Sequence, residues 1–86
     1  MADAYRLLFD PGVHRDVKSI PKEDLKRILR RIHSLPDHPR PVGSVKVSDP
    51  SMYRLRQGDY RVLYHVDDAQ RVVRILRIGH RREVYR

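Results

Sequence analysis

Apolar residues recur along this chain at two different spacings. Between residues 21 and 35 they fall at Leu25, Ile28, Leu29, Ile32 and Leu35, one stripe at the 3.6-residue period of a helix. From Met52 onward they alternate with polar residues, the period of a strand with one buried face. The first stretch, "AYRLLF" over 4–9, is short and rich in strand formers and predicts a strand. Asp10 and Pro11 follow as N-cap and first helical residue, opening a short helix with Val13, Val17 and Ile20 at helical spacing. The second helix spans 21–35. Glu23 and Asp24 in its first turn, and Arg30, Arg31 and His33 near its end, suit the helix dipole, and Pro36 stops it.

Residues 36–50, "PDHPRPVGSVKVSDP", carry four prolines and a glycine and predict a loop, with a short extended piece at 45–47. Then "MYRLR" reads as a strand, "QGD" as a turn, "YRVLYHV" as a strand, "DDAQ" as a turn and "RVVRILRI" as a last strand that Gly79 breaks. The order is β-α-α-loop-β-β-β in one domain, 1–86. This is an α+β fold: an N-terminal strand, a two-helix hairpin and a C-terminal three-stranded antiparallel meander, with the helices packed on one face of the sheet.

The hairpins sort the side chains. With Gln57-Gly58 as a two-residue turn, Arg56 faces Asp59, Leu55 faces Tyr60 and Arg54 faces Arg61. Leu55, Tyr60, Val62, Tyr64 and Val66 then meet the helices. Arg54, Arg56, Arg61, Leu63 and His65 take the other face, joined by Val72, Arg74, Leu76 and Ile78 if the second turn keeps register; a slip of one residue would reverse that last strand. Two arginines directly opposite repel, by roughly a few tenths of a kcal/mol. Either solvent screens them and they splay, or they bind an anion such as phosphate. Leu63, Leu76 and Ile78 among these cations make a mixed face that no helix of the chain covers, suited to an acidic, amphipathic segment of a partner.

Composition sharpens this picture. The net charge is +8 and the pI near 10.4, a balance that favours a polyanion. Residues 51–86 hold nine arginines, no lysine and four acids. Arginine forks match phosphate oxygens at two points, so this C-terminal stretch reads as a phosphate-binding surface. There is no cysteine, and His14, His33, His38 and His65 lack ligand spacing, so neither a metal nor a cofactor is implied. No apolar run approaches the roughly 18 residues of a membrane span, and "MADAYRLLFD" is no secretory signal. A cytoplasmic protein is expected.

The stretch "YRLRQGDYRVLYHVDDAQRVVRILRIGHRREVYR" resembles the C-terminal half of the RelE/ParE toxin superfamily, in its RelE-like branch. The likeness covers nearly the whole chain, including the "PRP-G" segment at 39–43, the "GDYR" hairpin and the terminal "GHRR-x-VY". It implies the toxin of a type II toxin–antitoxin pair. RelE-like members are ribosome-dependent endoribonucleases that cut mRNA in the decoding A site without a metal. The implied partners are a cognate antitoxin, mRNA and the ribosome with its 16S rRNA, and operator DNA indirectly through the antitoxin. ParE-like members instead poison DNA gyrase, and a basic RNA-binding module without catalysis is a further alternative.

Residue by residue, the resemblance implies that Arg61 contacts the scissile phosphate, that Arg81 also stabilises it, and that Tyr85 orients or activates the attacking 2′-hydroxyl. Arg54 matches one member of a basic pair whose other member aligns with Met52, a departure that leaves Lys46 as the nearest lysine. Arg56 and Arg82 are candidates for further phosphate contacts. Arginine, with a pKa above about 12, is a poor acid or base and suits charge stabilisation. Proton transfer then falls to His80, since imidazole is the side chain suited to acid–base work near neutral pH, or to Tyr85. Each has a plainer reading: His80 as a backbone contact to RNA, Tyr85 as a stacking or packing ring. Lys22, Lys26, Arg27, Arg30 and Arg31 lie off the apolar stripe of the second helix, as a solvated face or a contact to ribosomal RNA.

Overall fold

Five strands form one mixed sheet, and two helices cover one of its faces. The computed structural model describes residues 4–47 and 51–84. In chain order the elements are β1 (Arg6–Phe9), α1 (Pro11–Val17), α2 (Lys22–Ser34), β2 (Ser44–Lys46), β3 (Met52–Gln57), β4 (Tyr60–Asp67), β5 (Val72–His80) and a short α3 (Arg81–Val84). The strand order is β1-β5-β4-β3-β2. Every pairing is antiparallel except β1 with β5, which run parallel with Arg6 beside Val72. The expected extended piece at 45–47 is the edge strand β2. Gly79 does not break the last strand, which continues through it to His80.

The helical stripe behaves as its spacing predicts. Ile28, Ile32 and Leu35 are fully buried, with Leu25 and Leu29 partly buried beside them. They pack with Val13 and Ile20 against Leu55, Val62, Tyr64, Val73 and Ile75 of the sheet, and this apolar burial drives the layer together. Asp10 stands at the N-cap of α1, but its carboxylate accepts from Arg74 at 3.3 Å instead of capping the helix.

Two registers differ from expectation. The first hairpin turns at Gly58-Asp59, not Gln57-Gly58, so Gln57 pairs with Tyr60, Arg56 with Arg61 and Arg54 with Leu63. Gly58 takes the left-handed conformation (φ +61°) that the first position of a II′-type turn favours. The shift is two residues, so every side chain keeps its expected face. The second hairpin carries a bulge. Leu63 pairs with Arg77 but Tyr64 pairs with Ile75, which leaves Leu76 as the extra residue. Alternation reverses there. Val73, Ile75 and Ile78 all enter the core, and Ile78, expected on the arginine face, is 1% exposed. Beyond the end of β1, Asp16 of α1 takes over the edge of β5: its Oδ2 accepts the Ile78 backbone N–H at 3.0 Å, with the Arg77 guanidinium 3.9 Å away.

A polar clamp closes the sheet at the end away from the first hairpin's turn. The Tyr5 hydroxyl donates to Asp68 Oδ1 at 2.6 Å and the Arg40 guanidinium to Asp68 Oδ2 at 2.7 Å. Arg40 also donates to the Tyr53 hydroxyl at 2.8 Å. Tyr53 stacks on Tyr64, whose hydroxyl donates to the Pro39 carbonyl at 2.7 Å. The 36–41 loop is thereby tied to β3 and β4. The Tyr5 and Arg40 donors hold the Asp68 carboxyl below its usual range, and the same bond to Asp68 raises Tyr5. Burial pushes the Tyr64 phenol up to about 12.

A depressed folded-state carboxyl contributes stability that is present above its unfolded value of about 3.9 and is lost as pH falls through the lower folded value. Wild type should therefore exceed Asp68→Asn in melting temperature at pH 5 to 7, and the gap should close as pH drops from about 4. Thermal unfolding of both proteins across that range checks it.

Candidate nucleic-acid interface

The outer face of the sheet, opposite the helices, is built by β3, β4 and β5. Period-two alternation and the observed registers place Met52, Arg54 and Arg56 of β3 there, with Arg61, Leu63 and His65 of β4 and Arg74, Arg77 and Gly79 of β5. Arg56 stands directly opposite Arg61 on one side, and Gly79 opposite it on the other. Arg61 is 7% exposed, a buried guanidinium. Its Nη1 donates to the Tyr60 carbonyl at 3.2 Å and, at the longer distance of 3.4 Å, to the Gly58 carbonyl. A buried charge is costly unless it is hydrogen-bonded, and these carbonyls of the hairpin turn hold it in place.

Arg54, Arg56 and Arg61 line a cavity of about 510 Å³. The cavity lies where β3 outruns its neighbour. Strand β2 starts opposite Leu55, so Arg56 and Gln57 extend past it. Arg31 closes the cavity from the helix side. Its Nη1 donates to Gln57 Oε1 at 3.3 Å and its Nη2 to the Val42 carbonyl at 3.2 Å. Gly43 has φ +97°, a left-handed backbone that disfavours any side chain, and a Cβ there would lie 3.5 Å from that Nη2. The described lining contains no carboxylate. Such a cavity can bind an anion, hold it among several guanidiniums and stabilise added negative charge.

Other expected site residues fall in different places. His80 pairs with Tyr60 and meets its ring edge-on at 5.9 Å, which puts it on the helix-facing side and away from the arginine face. Lys46 pairs with Tyr53 and so shares that opposite side, while its neighbour Val45 lies beside Arg54. Met52 faces His65 across the β3–β4 ladder, on the arginine face but outside the cavity. Arg81 and Arg82 are exposed in α3, and the Arg81 backbone N–H donates to the Asp59 carbonyl at 2.8 Å, bringing the start of α3 to the hairpin turn. Leu63 is half-buried on the outer face, and Leu76 is half-buried at the bulge, beside Asp16 and Arg77. Tyr85 lies outside the described residues.

Arg31, expected on a solvated or ribosomal-RNA-facing side of the helix, and Gln57, expected only as a turn residue, both line the cavity. Arg31 flanks the buried stripe, one position before Ile32, which was the available signal. Among the described residues no three His, Asp or Glu side chains gather as metal ligands would, and no helix is long and apolar enough to cross a membrane.

Residues 7–85 match the sequence profile of the ParE toxin of the type II toxin–antitoxin system parDE. Toxin RelG of Mycobacterium tuberculosis is 31% identical over 84 residues, covering 95% of this chain and 97% of that protein. The chain belongs to the RelE/ParE toxin superfamily. RelE in the archaeal RelE–RelB complex of Pyrococcus horikoshii superposes with a TM-score of 0.82 at 30% identity, over 93% of this toxin and 98% of that chain. The isolated RelE toxin of Escherichia coli shares the fold, with a TM-score of 0.79 at 24% identity over 95% and 92% of the two chains. This chain is thus a type II toxin–antitoxin toxin, and the arginine cavity is the candidate site of its action.

Arg56 tests that cavity, because stability and binding should move in opposite directions. Arg56→Ala removes a like-charge pair, so urea unfolding should show no loss, or a gain of up to about 0.5 kcal/mol. Its affinity for single-stranded RNA should fall, and the slope of log affinity against log salt should shrink by about one. Fluorescence anisotropy over a salt series reads both quantities.

Proposed function

We propose that this toxin is a metal-independent endoribonuclease that cleaves mRNA in the ribosomal A site. The observation that supports it best is the clustering of Arg54, Arg56, Arg61 and Arg31 around one cavity, with the buried Arg61 guanidinium donating to the Tyr60 and Gly58 carbonyls. In the proposed reaction the ribose 2′-oxygen attacks the adjacent phosphorus. The bond from phosphorus to the 5′-oxygen breaks, leaving a 2′,3′-cyclic phosphate and a 5′-hydroxyl that has taken up a proton. Charge builds on the phosphorane oxygens in between. Arg61 and Arg54 would carry that charge from fixed positions, which is where preorganised cations accelerate a reaction most. Arg81, brought to the hairpin turn by its backbone bond, would add to them.

Arginine does not serve the proton transfers, and His80 faces the other side of the sheet. The acid–base role therefore goes to Tyr85, as the family resemblance implies. The ribosome supplies the mRNA in an extended, single-stranded form that an open edge cavity can receive. A cognate antitoxin would cover the mixed outer face around Leu63 with an acidic, amphipathic segment. The archaeal relative was solved as a complex with RelB, which supports such a partner here. The matching profile is that of ParE toxins, which favours gyrase inhibition as the second reading.

In a purified translation reaction the wild-type toxin should cut mRNA when ribosomes are present and leave it intact without them. Arg61→Ala should lower the cutting rate about 10²–10³-fold, the scale of losing one charge-stabilising donor. Uncut message in both conditions, together with inhibited gyrase supercoiling, would transfer the function to gyrase.

A further inference from the structure

Arg31 has no place in the proposed chemistry, yet the fold puts it in the cavity. It comes from α2, on the side of the sheet opposite to Arg54, Arg56 and Arg61, and reaches the cavity past the point where β2 begins. Two of its donors are held by neutral acceptors, Gln57 Oε1 and the Val42 carbonyl. Neither neutralises its charge, and no ion pair among the described residues involves it. The guanidinium is therefore fixed in position and still cationic.

The cavity is also larger than one phosphate requires. About 510 Å³ lies within the range of roughly 300–1,000 Å³ that encloses whole small-molecule ligands. Its cations occupy two groups on either side of the exposed end of β3. Arg27 lies one helical turn before Arg31 on the same face of α2 and extends the positive charge away from the sheet.

We propose that the cavity holds two successive phosphates of a single RNA strand, the first among Arg54, Arg56 and Arg61 and the second on Arg31. The strand bends round the open end of β3, from the outer face toward α2. Arg31 is then a binding residue that sets where along the strand the first phosphate sits. This inference rests on the reading of the cavity as a nucleic-acid site.

The probes are adenosine 3′,5′-bisphosphate and the 3′- and 5′-monophosphates, titrated by calorimetry at low salt. Wild type should bind the bisphosphate at least about tenfold more tightly than either monophosphate, the worth of one added charge-assisted contact. Arg31→Gln should erase most of that preference while leaving monophosphate affinity within about twofold, which also shows that the variant is folded. Arg31→Lys should keep part of it. Arg30→Gln, the same charge change on the exposed side of α2, should keep all of it.

A preference that persists in Arg31→Gln would overturn the proposal. So would a parallel loss of all three ligands, which would make Arg31 a staple for the 41–43 loop. Wild type that binds none of the probes would overturn this proposal and the nucleic-acid reading together. An Arg31-dependent preference in a toxin that cuts no mRNA would uphold the two-phosphate site and overturn the nuclease reading alone.

Discussion

The extra residue in β5 decides what both faces of the sheet present. With strict alternation, Ile75 and Ile78 would point to opposite sides. The bulge at Leu76 lets both enter the core and sends Arg77 and Gly79 outward. Gly79 therefore stands next to Arg61 and adds no side chain to the arginine face there. The helix layer and the cationic surface are two outcomes of one irregularity. Without it, one isoleucine would be exposed and the partner of Arg61 would be a different residue.

The arginines of the outer face divide by their company. Arg74 and Arg77 lie near α1, where Asp10 and Asp16 meet them, and those same carboxylates anchor the helix to the sheet. At the other end, Arg54, Arg56 and Arg61 line a cavity without a carboxylate in its described walls. Cations that tie α1 to the sheet and cations that line the cavity thus share one face. Net charge alone, at +8, could not separate them.

Helices and strands were legible because their burial follows simple periods. The stripe at Ile28, Ile32 and Leu35 and the alternation at Val62, Tyr64 and Val66 are buried as their spacing predicts. The turn of the first hairpin lies one residue later than expected, which moves the pairing by two residues, and a period-two pattern cannot register that. The bulge was not legible, since Leu76 and Ile78 fit a regular strand in sequence. The presence of Arg54, Arg56 and Arg61 on one face was legible for the same reason that the alternation was. Arg31's place in the cavity was not, because it depends on α2 packing beside the end of β3, a tertiary fact. His80 is a candidate by residue chemistry and family resemblance, which do not fix its face, and pairing with Tyr60 puts it one step beyond Gly79 on the opposite side.

The parallel pairing of β1 with β5 has a consequence for how the protein comes into being. It joins the first strand to the fifth, Arg6 to Val72, so the sheet cannot close until β5 is available. During synthesis the β3–β4 hairpin and both helices are made before the strand that lies between β1 and β4. Domains fold as units, and this one lacks an interior strand until β5 is made. Its arginine face is completed only when β5 has been made and has paired with β4, so a nascent chain that stops short of β5 lacks that face.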